Sequence, residues 1–169
     1  MATLLCAVVV ALLCLSADGT DSSCPAACSC AVSPQPVSDT DHRLGVAVTC
    51  AEVELTSSPD TLPPEATSVD VSGNRLEQLD SASLPHAGVE GLSTANFSRN
   101  RIAKIATEAF KRWSNLVSLD LSANRLSSID HGTFRGAAQT SLQNLDLAGN
   151  RLTEVDGGFS GMTNLFRSV

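Results

Sequence analysis

Cysteine is the residue type best placed to do chemistry in this chain. Cys24, Cys28, Cys30 and Cys50 crowd into one short stretch, while Cys6 and Cys14 belong to an apolar N-terminal segment. Closely spaced cysteines can hold zinc, and in an oxidising compartment they cross-link. No histidine has the spacing to complete a metal set, so the four imply two disulfides, with three pairings open. The histidines themselves, His42, His86 and His131, are scattered and share no position with a Cys, Ser or carboxylate. Neither a nucleophilic triad nor a metal cluster follows from them. With no Gly-rich phosphate loop and no acid–base pair, we expect no enzyme, no metal and no cofactor. One modifiable position remains: Asn96-Phe97-Ser98 is the sole N-glycosylation sequon.

The elements that position these residues are set by a repeat. Val69-x-Val71-x-x-Asn74, Ala95-x-Phe97-x-x-Asn100, Leu119-x-Leu121-x-x-Asn124 and Leu145-x-Leu147-x-x-Asn150 place their asparagines at intervals of 26, 24 and 26 residues. That spacing falls in the range of leucine-rich repeats. Apolar residues follow two places later (Leu76, Ile102, Leu126, Leu152) and three beyond that (Leu79, Ile105, Ile129, Val155). A large apolar residue then closes each coil, at Leu84, Phe110, Phe134 and Phe159. A single coil cannot bury these side chains, so stacked neighbours must supply the core. The fold class expected is an α/β solenoid: a leucine-rich repeat horseshoe with a short-stranded parallel concave sheet and an irregular convex side. Asn74, Asn100, Asn124 and Asn150 should form a structural ladder, each pairing backbone groups of its own and the adjacent coil. The phenylalanines should stack as a spine under the convex wall, and Trp113 should pack in the core. Two longer connections, Leu84 to Leu92 and Phe134 to Leu142, should bulge outward without shifting the sheet.

Alternation then assigns the surfaces. Asp70, Asn96, Asp120 and Asp146 should face outward from the strands, flanked by Ser68, Ser72, Thr94, Ser98, Ser118, Ser122, Asn144 and Ala148. The concave face is therefore small, polar and mildly acidic. Arg99 is its one side chain of the kind that dominates protein interfaces. Asp70, Asn96, Arg99, Asp120 and Asp146 form the candidate binding face, and a glycan on Asn96 would cover it. An arginine follows each asparagine, at Arg75, Arg101, Arg125 and Arg151. Such a row offers weak contact with a sulfated polysaccharide. Asp80, Asp130 and Asp156 are expected to neutralise it as a solvated edge, and the formal net charge of −7 also disfavours polyanions, nucleic acid included.

Length and composition fit one extracellular domain. Only 4% of the 169 residues are Phe, Trp or Tyr, which suits a core of leucine and valine ladders. The apolar run from Leu4 to Leu15 is too short for a roughly 20-residue span. It reads as a secretory signal over residues 1–17, cleaved after Ala17 or Gly19. A linker and cysteine-rich cap over 18–65 and repeats over 66–169 complete the division, with four repeats and the start of a fifth. Asn164-Leu165 opens that fifth coil, and we expect the sequence to stop before its strand and to be a fragment of a longer protein. Membrane attachment would come only through a segment absent from this chain.

Cys24-Pro25-x-x-Cys28-x-Cys30, Val48-x-Cys50, Leu55, Pro59 and Leu62-Pro63-Pro64 resemble the cysteine-rich N-terminal cap of extracellular leucine-rich repeat proteins. Slit, the Nogo receptor, the small leucine-rich proteoglycans and arthropod neuronal receptors share that cap. Together with the repeats, the resemblance covers residues 24–169. It implies the pairing Cys24–Cys30 and Cys28–Cys50, with the cap shielding the open apolar end of the stack. The stretch Ala31 to Thr49 is longer than in most such caps and, with Ser33-Pro34-Gln35-Pro36 and Asp39-Thr40-Asp41, reads as a solvated loop. The resemblance implies an extracellular protein-binding module, as the N-terminal part of a receptor or adhesion ectodomain. The alternative is a structural matrix component of small leucine-rich proteoglycan type.

Overall fold

In every coil the first and third residues of the six-residue repeat motif turn inward. Val69 and Val71, Ala95 and Phe97, and Leu119 and Leu121 are all at most 1% exposed. The computed structural model describes residues 24–34, 44–136, 138–165 and 167–168. The expected signal segment, Cys6, Cys14 and His42 lie outside those residues.

Stacking the inward pairs builds a sheet of seven strands in the order β1 (Ser29–Pro34), β2 (Leu44–Thr49), β3 (Ala66–Asp70), β5 (Thr94–Asn96), β7 (Ser118–Asp120), β8 (Asn144–Asp146) and β9 (Arg167–Ser168). From β2 onward the pairing is parallel. A second short pairing on the descending side of the coils joins β4 (Gln78–Leu79) to β6 (Lys104–Ile105). The Phe134–Leu142 connection winds into one turn of helix, α1 (Ala138–Ser141), which buries Ala138 completely. The structure is a leucine-rich repeat solenoid with a parallel concave sheet.

Two expectations require correction. Ala31 to Thr49 is not a loop throughout. β1 and β2 form an antiparallel hairpin from Ser29↔Thr49 to Pro34↔Leu44. The cause is a period-two pattern, Val46-x-Val48-x-Cys50, whose apolar side chains pack on the first coil. Nor does the sequence stop before a fifth strand: Arg167 and Ser168 pair in parallel with Asn144 and Leu145. Backbone ladder groups alone suffice for that, without an apolar signature in the side chains.

The cap is tied by two disulfides, Cys24–Cys30 and Cys28–Cys50. The second bridge closes the open end of the hairpin, and Cys50, fully buried, fastens that end to the first coil by donating its N–H to the Asp70 carbonyl. Along the convex side Phe110, Phe134 and Phe159 stack with ring centroids 5.9 and 6.3 Å apart. Trp113 packs edge-on against Phe110 at 5.5 Å and donates its indole N–H to the Pro85 carbonyl.

The four asparagines work alike. The Asn124 Oδ1 accepts from the Ile102 N–H at 3.0 Å, and its Nδ2 donates to the carbonyls of Phe97 (2.9 Å) and Leu121 (3.0 Å). Asn100 makes the equivalent bonds to Leu76, Val71 and Phe97, and Asn150 to Leu126, Leu121 and Leu147. Asn74 bonds into the cap instead, to Val53, Leu55 and Cys50. Each amide therefore ties its own turn to the preceding coil, where water cannot reach the backbone.

Candidate functional site

The concave column stands in strict register: Asp70 beside Asn96, Asn96 beside Asp120, Asp120 beside Asp146. Each side chain turns on itself to cap its own strand. The Oδ1 atoms of Asp70, Asn96, Asp120 and Asp146 accept the backbone N–H two residues on, from Ser72, Ser98, Ser122 and Ala148, at 2.8–2.9 Å. This is a local side-chain-to-backbone bond of the kind Asp and Asn favour at turns. All four residues are half-buried, and Ser72 and Ser98, expected as flanking surface, are buried. Among the described residues the second carboxylate oxygens of Asp70, Asp120 and Asp146 have no partner. They form a row of acceptors spaced by the strand separation of about 4.8 Å.

Beside this column runs a line of left-handed residues: Glu52 (φ 58°), Gly73 (67°), Arg99 (55°), Ala123 (53°) and Gly149 (69°). Each backbone N–H in the line up to Ala123 donates to the next coil, as from Arg99 to the Ser122 carbonyl at 3.0 Å. Glycine adopts this conformation freely, whereas other residues are strained by it. Gly73 also clears space, because a Cβ there would meet the Glu52 Cγ at 2.7 Å. Across that gap the Arg99 guanidinium reaches Glu52 at 3.4 Å, two coils away, with both side chains largely exposed.

The arginine row is aligned by the backbone, with Arg101, Arg125 and Arg151 each donating an N–H to the preceding coil at Leu76, Ile102 and Leu126. The aspartates expected to neutralise it do not. Asp80 accepts from the backbone N–H groups of Ser83 and Ala82, and these bonds, Ser83 first, hold its carboxyl below the usual carboxylate range. Asp130 accepts from the Ser128 hydroxyl. Both carboxylates turn into their own loops because a donor two or three residues away, backbone N–H for Asp80 and hydroxyl for Asp130, is nearer than a flexible guanidinium. Arg75 is paired, but with Glu54 of the cap. Among the described residues Arg101, Arg125 and Arg151 have no ion pair. A shallow cleft of about 590 Å³ lies between Arg75 and Arg101, with Glu77 and Gln78 in its walls.

Sequence reasoning missed Glu52 and Glu54. The available signal was alignment: Val48-x-Cys50-x-Glu52 occupies the same place as Val69-x-Val71-x-Gly73. His86 and His131 are both exposed, in different coils. Among the described residues no three His, Cys, Asp or Glu side chains are grouped to hold a metal ion.

An asparagine-laddered parallel solenoid closed by a two-disulfide cap defines a class, the extracellular leucine-rich repeat proteins with a cysteine-rich N-terminal cap. This chain resembles that class in its fold and its cap. The leucine-rich repeat family profile matches residues 90–140 and 114–167. The chain is 31% identical to Tsukushi of Gallus gallus over 123 residues, which is 73% of this chain and 33% of that protein. It is 33% identical to leucine-rich repeat-containing protein 3B of Homo sapiens over 135 residues, 79% of this chain and 46% of that one. The crystal structure of human 5T4 (Wnt-activated inhibitory factor 1, trophoblast glycoprotein) superposes with a TM-score of 0.57 at 26% identity, covering 76% of this chain and 42% of 5T4. The chain thus spans less than half the length of each of these relatives.

Proposed function

We propose that this chain is a protein-recognition module in the ectodomain of a receptor or adhesion protein, and that it performs no catalysis of its own. The observation that carries the reading is the row of preset acceptors on the concave sheet. In Asp70, Asp120 and Asp146 one carboxylate oxygen is spent on the backbone, which fixes the rotamer, and the other faces solvent. Fixed side chains lose little entropy on binding, so such a row favours a partner carrying Lys, Arg or hydroxyl donors at matching spacing. Asn96 continues the row without charge, and Arg99 marks its rim. The test is binding of the module to a panel of extracellular ectodomains, with Asp70→Asn, Asp120→Asn and Asp146→Asn combined and all proteins made without N-glycosylation, because Asp70→Asn and Asp120→Asn each create an Asn-x-Ser acceptor. Asparagine keeps the backbone cap, as Asn96 does, and removes the charge. Binding should be lost with the thermal midpoint unchanged; binding indifferent to the triple variant would overturn the assignment.

A matrix component of small leucine-rich proteoglycan type is the second reading, favoured by the unpaired Arg101, Arg125 and Arg151. With Arg75 they would contact a sulfated polysaccharide weakly, against the net charge of −7. Retention on immobilised heparin, lost when the three unpaired arginines are changed to Gln, would support it. A membrane-spanning helix in the full-length transcript would decide for the receptor. Both readings divide the chain into a signal over 1–17, a linker and cap over 18–65, and repeats over 66–169. N-terminal sequencing of the secreted protein should therefore begin at Asp18 or Thr20.

A further inference from the structure

We infer that Asn96 carries an N-linked oligosaccharide which enters before β5 folds, and which interrupts the concave acceptor row at its second coil. Asn96 is the one neutral member of a column otherwise made of aspartate. Its Oδ1 is occupied by the Ser98 N–H, while its Nδ2 has no partner among the described residues. In the ladder asparagines the opposite holds, for each Nδ2 is bonded to carbonyls of two coils. The Asn96 nitrogen is thus left for chemistry where those of the ladder are not, and it lies within the Asn-x-Ser acceptor. The chain is extracellular, so it passes the compartment where this modification occurs.

In the transfer Nδ2 gives up a proton and bonds to the anomeric carbon of a lipid-diphosphate-linked oligosaccharide. The bond from that carbon to the diphosphate oxygen breaks, and the lipid diphosphate leaves with the electron pair. The folded strand is a poor acceptor. Phe97 is fully buried and Ser98 is 7% exposed, so the sequon cannot be presented to a second protein once β5 lies between β3 and β7. Sugar addition must precede coil stacking. Afterwards the glycan stands beside Asp70 on one strand and Asp120 on the other. This inference rests on the concave reading for its consequence: a partner needing the whole row binds only chains that escaped modification.

The test uses protein secreted from mammalian cells and treated with an amidase that removes N-glycans. Wild type should fall in mass by one oligosaccharide, and mass spectra should show Asn96 converted to Asp. Asn96→Asp, which preserves the backbone cap, and Ser98→Ala should each show no fall. Unmodified protein made in bacteria should accept sugar from purified transferase only when unfolded and reduced. An unchanged wild-type mass would overturn the inference; Asn96 would then serve only to relieve repulsion between Asp70 and Asp120. Equal modification of folded and unfolded protein would overturn the order of events. Neither readout depends on a binding partner, so failure here leaves the concave reading standing.

Discussion

Without its side chain, Asn124 would strand the Ile102 N–H and the Phe97 carbonyl inside the core. Each orphaned group costs about 1–3 kcal/mol, so Asn124→Ala should lower stability by about 3 kcal/mol in urea unfolding. Leu121→Ala, which removes a fully buried side chain, should cost about 2–5 kcal/mol. The neighbouring Asp120→Ala should cost about 1 kcal/mol, the scale of a lost terminal cap, and Asp120→Asn close to nothing. A loss for Asp120→Ala equal to that of Leu121→Ala would mean that the two faces are inverted. Asp80 adds a pH dependence. Its folded pKa is depressed, so its contribution is present above the unfolded carboxylate pKa of about 3.9 and is lost as pH falls through the lower folded value. Wild type should therefore lose more stability on acidification below about pH 4 than Asp80→Asn does. Outward placement of Asp120 was legible from alternation. Its bond to Ser122 was not, because residue type and spacing do not give a rotamer. The same limit made Asp80 look like a partner for arginine.

Strands and spine were the most legible elements, because each coil repeats the same apolar places and a core must be built from them. Phe134 lies between Phe110 and Phe159, 1% exposed, so Phe134→Ala should cost about 4 kcal/mol and broaden the unfolding transition. The hairpin of the cap was obscured by its composition: Pro34, Pro36, Asp39 and Asp41 announce a loop more loudly than Val46 and Val48 announce a strand. The strand at Arg167–Ser168 gave no signal, being two polar residues placed by backbone pairing alone. Joining Cys28 to Cys50 closes a separation of 22 residues. By restricting the unfolded chain that bridge should contribute about 3 kcal/mol. The double variant Cys28→Ser, Cys50→Ser should unfold at correspondingly lower urea, and an unchanged midpoint would show that the hairpin holds the cap without it.

Across the whole molecule, burial declines along the stack. Leu119 and Leu121 are closed off, Leu147 is 7% exposed, and Val155 reaches 45%. Amide hydrogen exchange should follow that gradient, slowest beside the cap in the first two coils and fastest over residues 144–168. Uniform protection through Ser168 would contradict a coil-by-coil core. The three-residue strands β5, β7 and β8 have a mechanical consequence as well. Coils held to their neighbours by so few rungs, plus one asparagine, should yield singly under tension. A coil of 24–26 residues pays out about 80 Å of chain when it opens. Pulled from both ends, the module should lengthen in even steps from its C-terminal side, with the covalently tied cap the last to give way, so that an extracellular tether built on it would absorb load gradually.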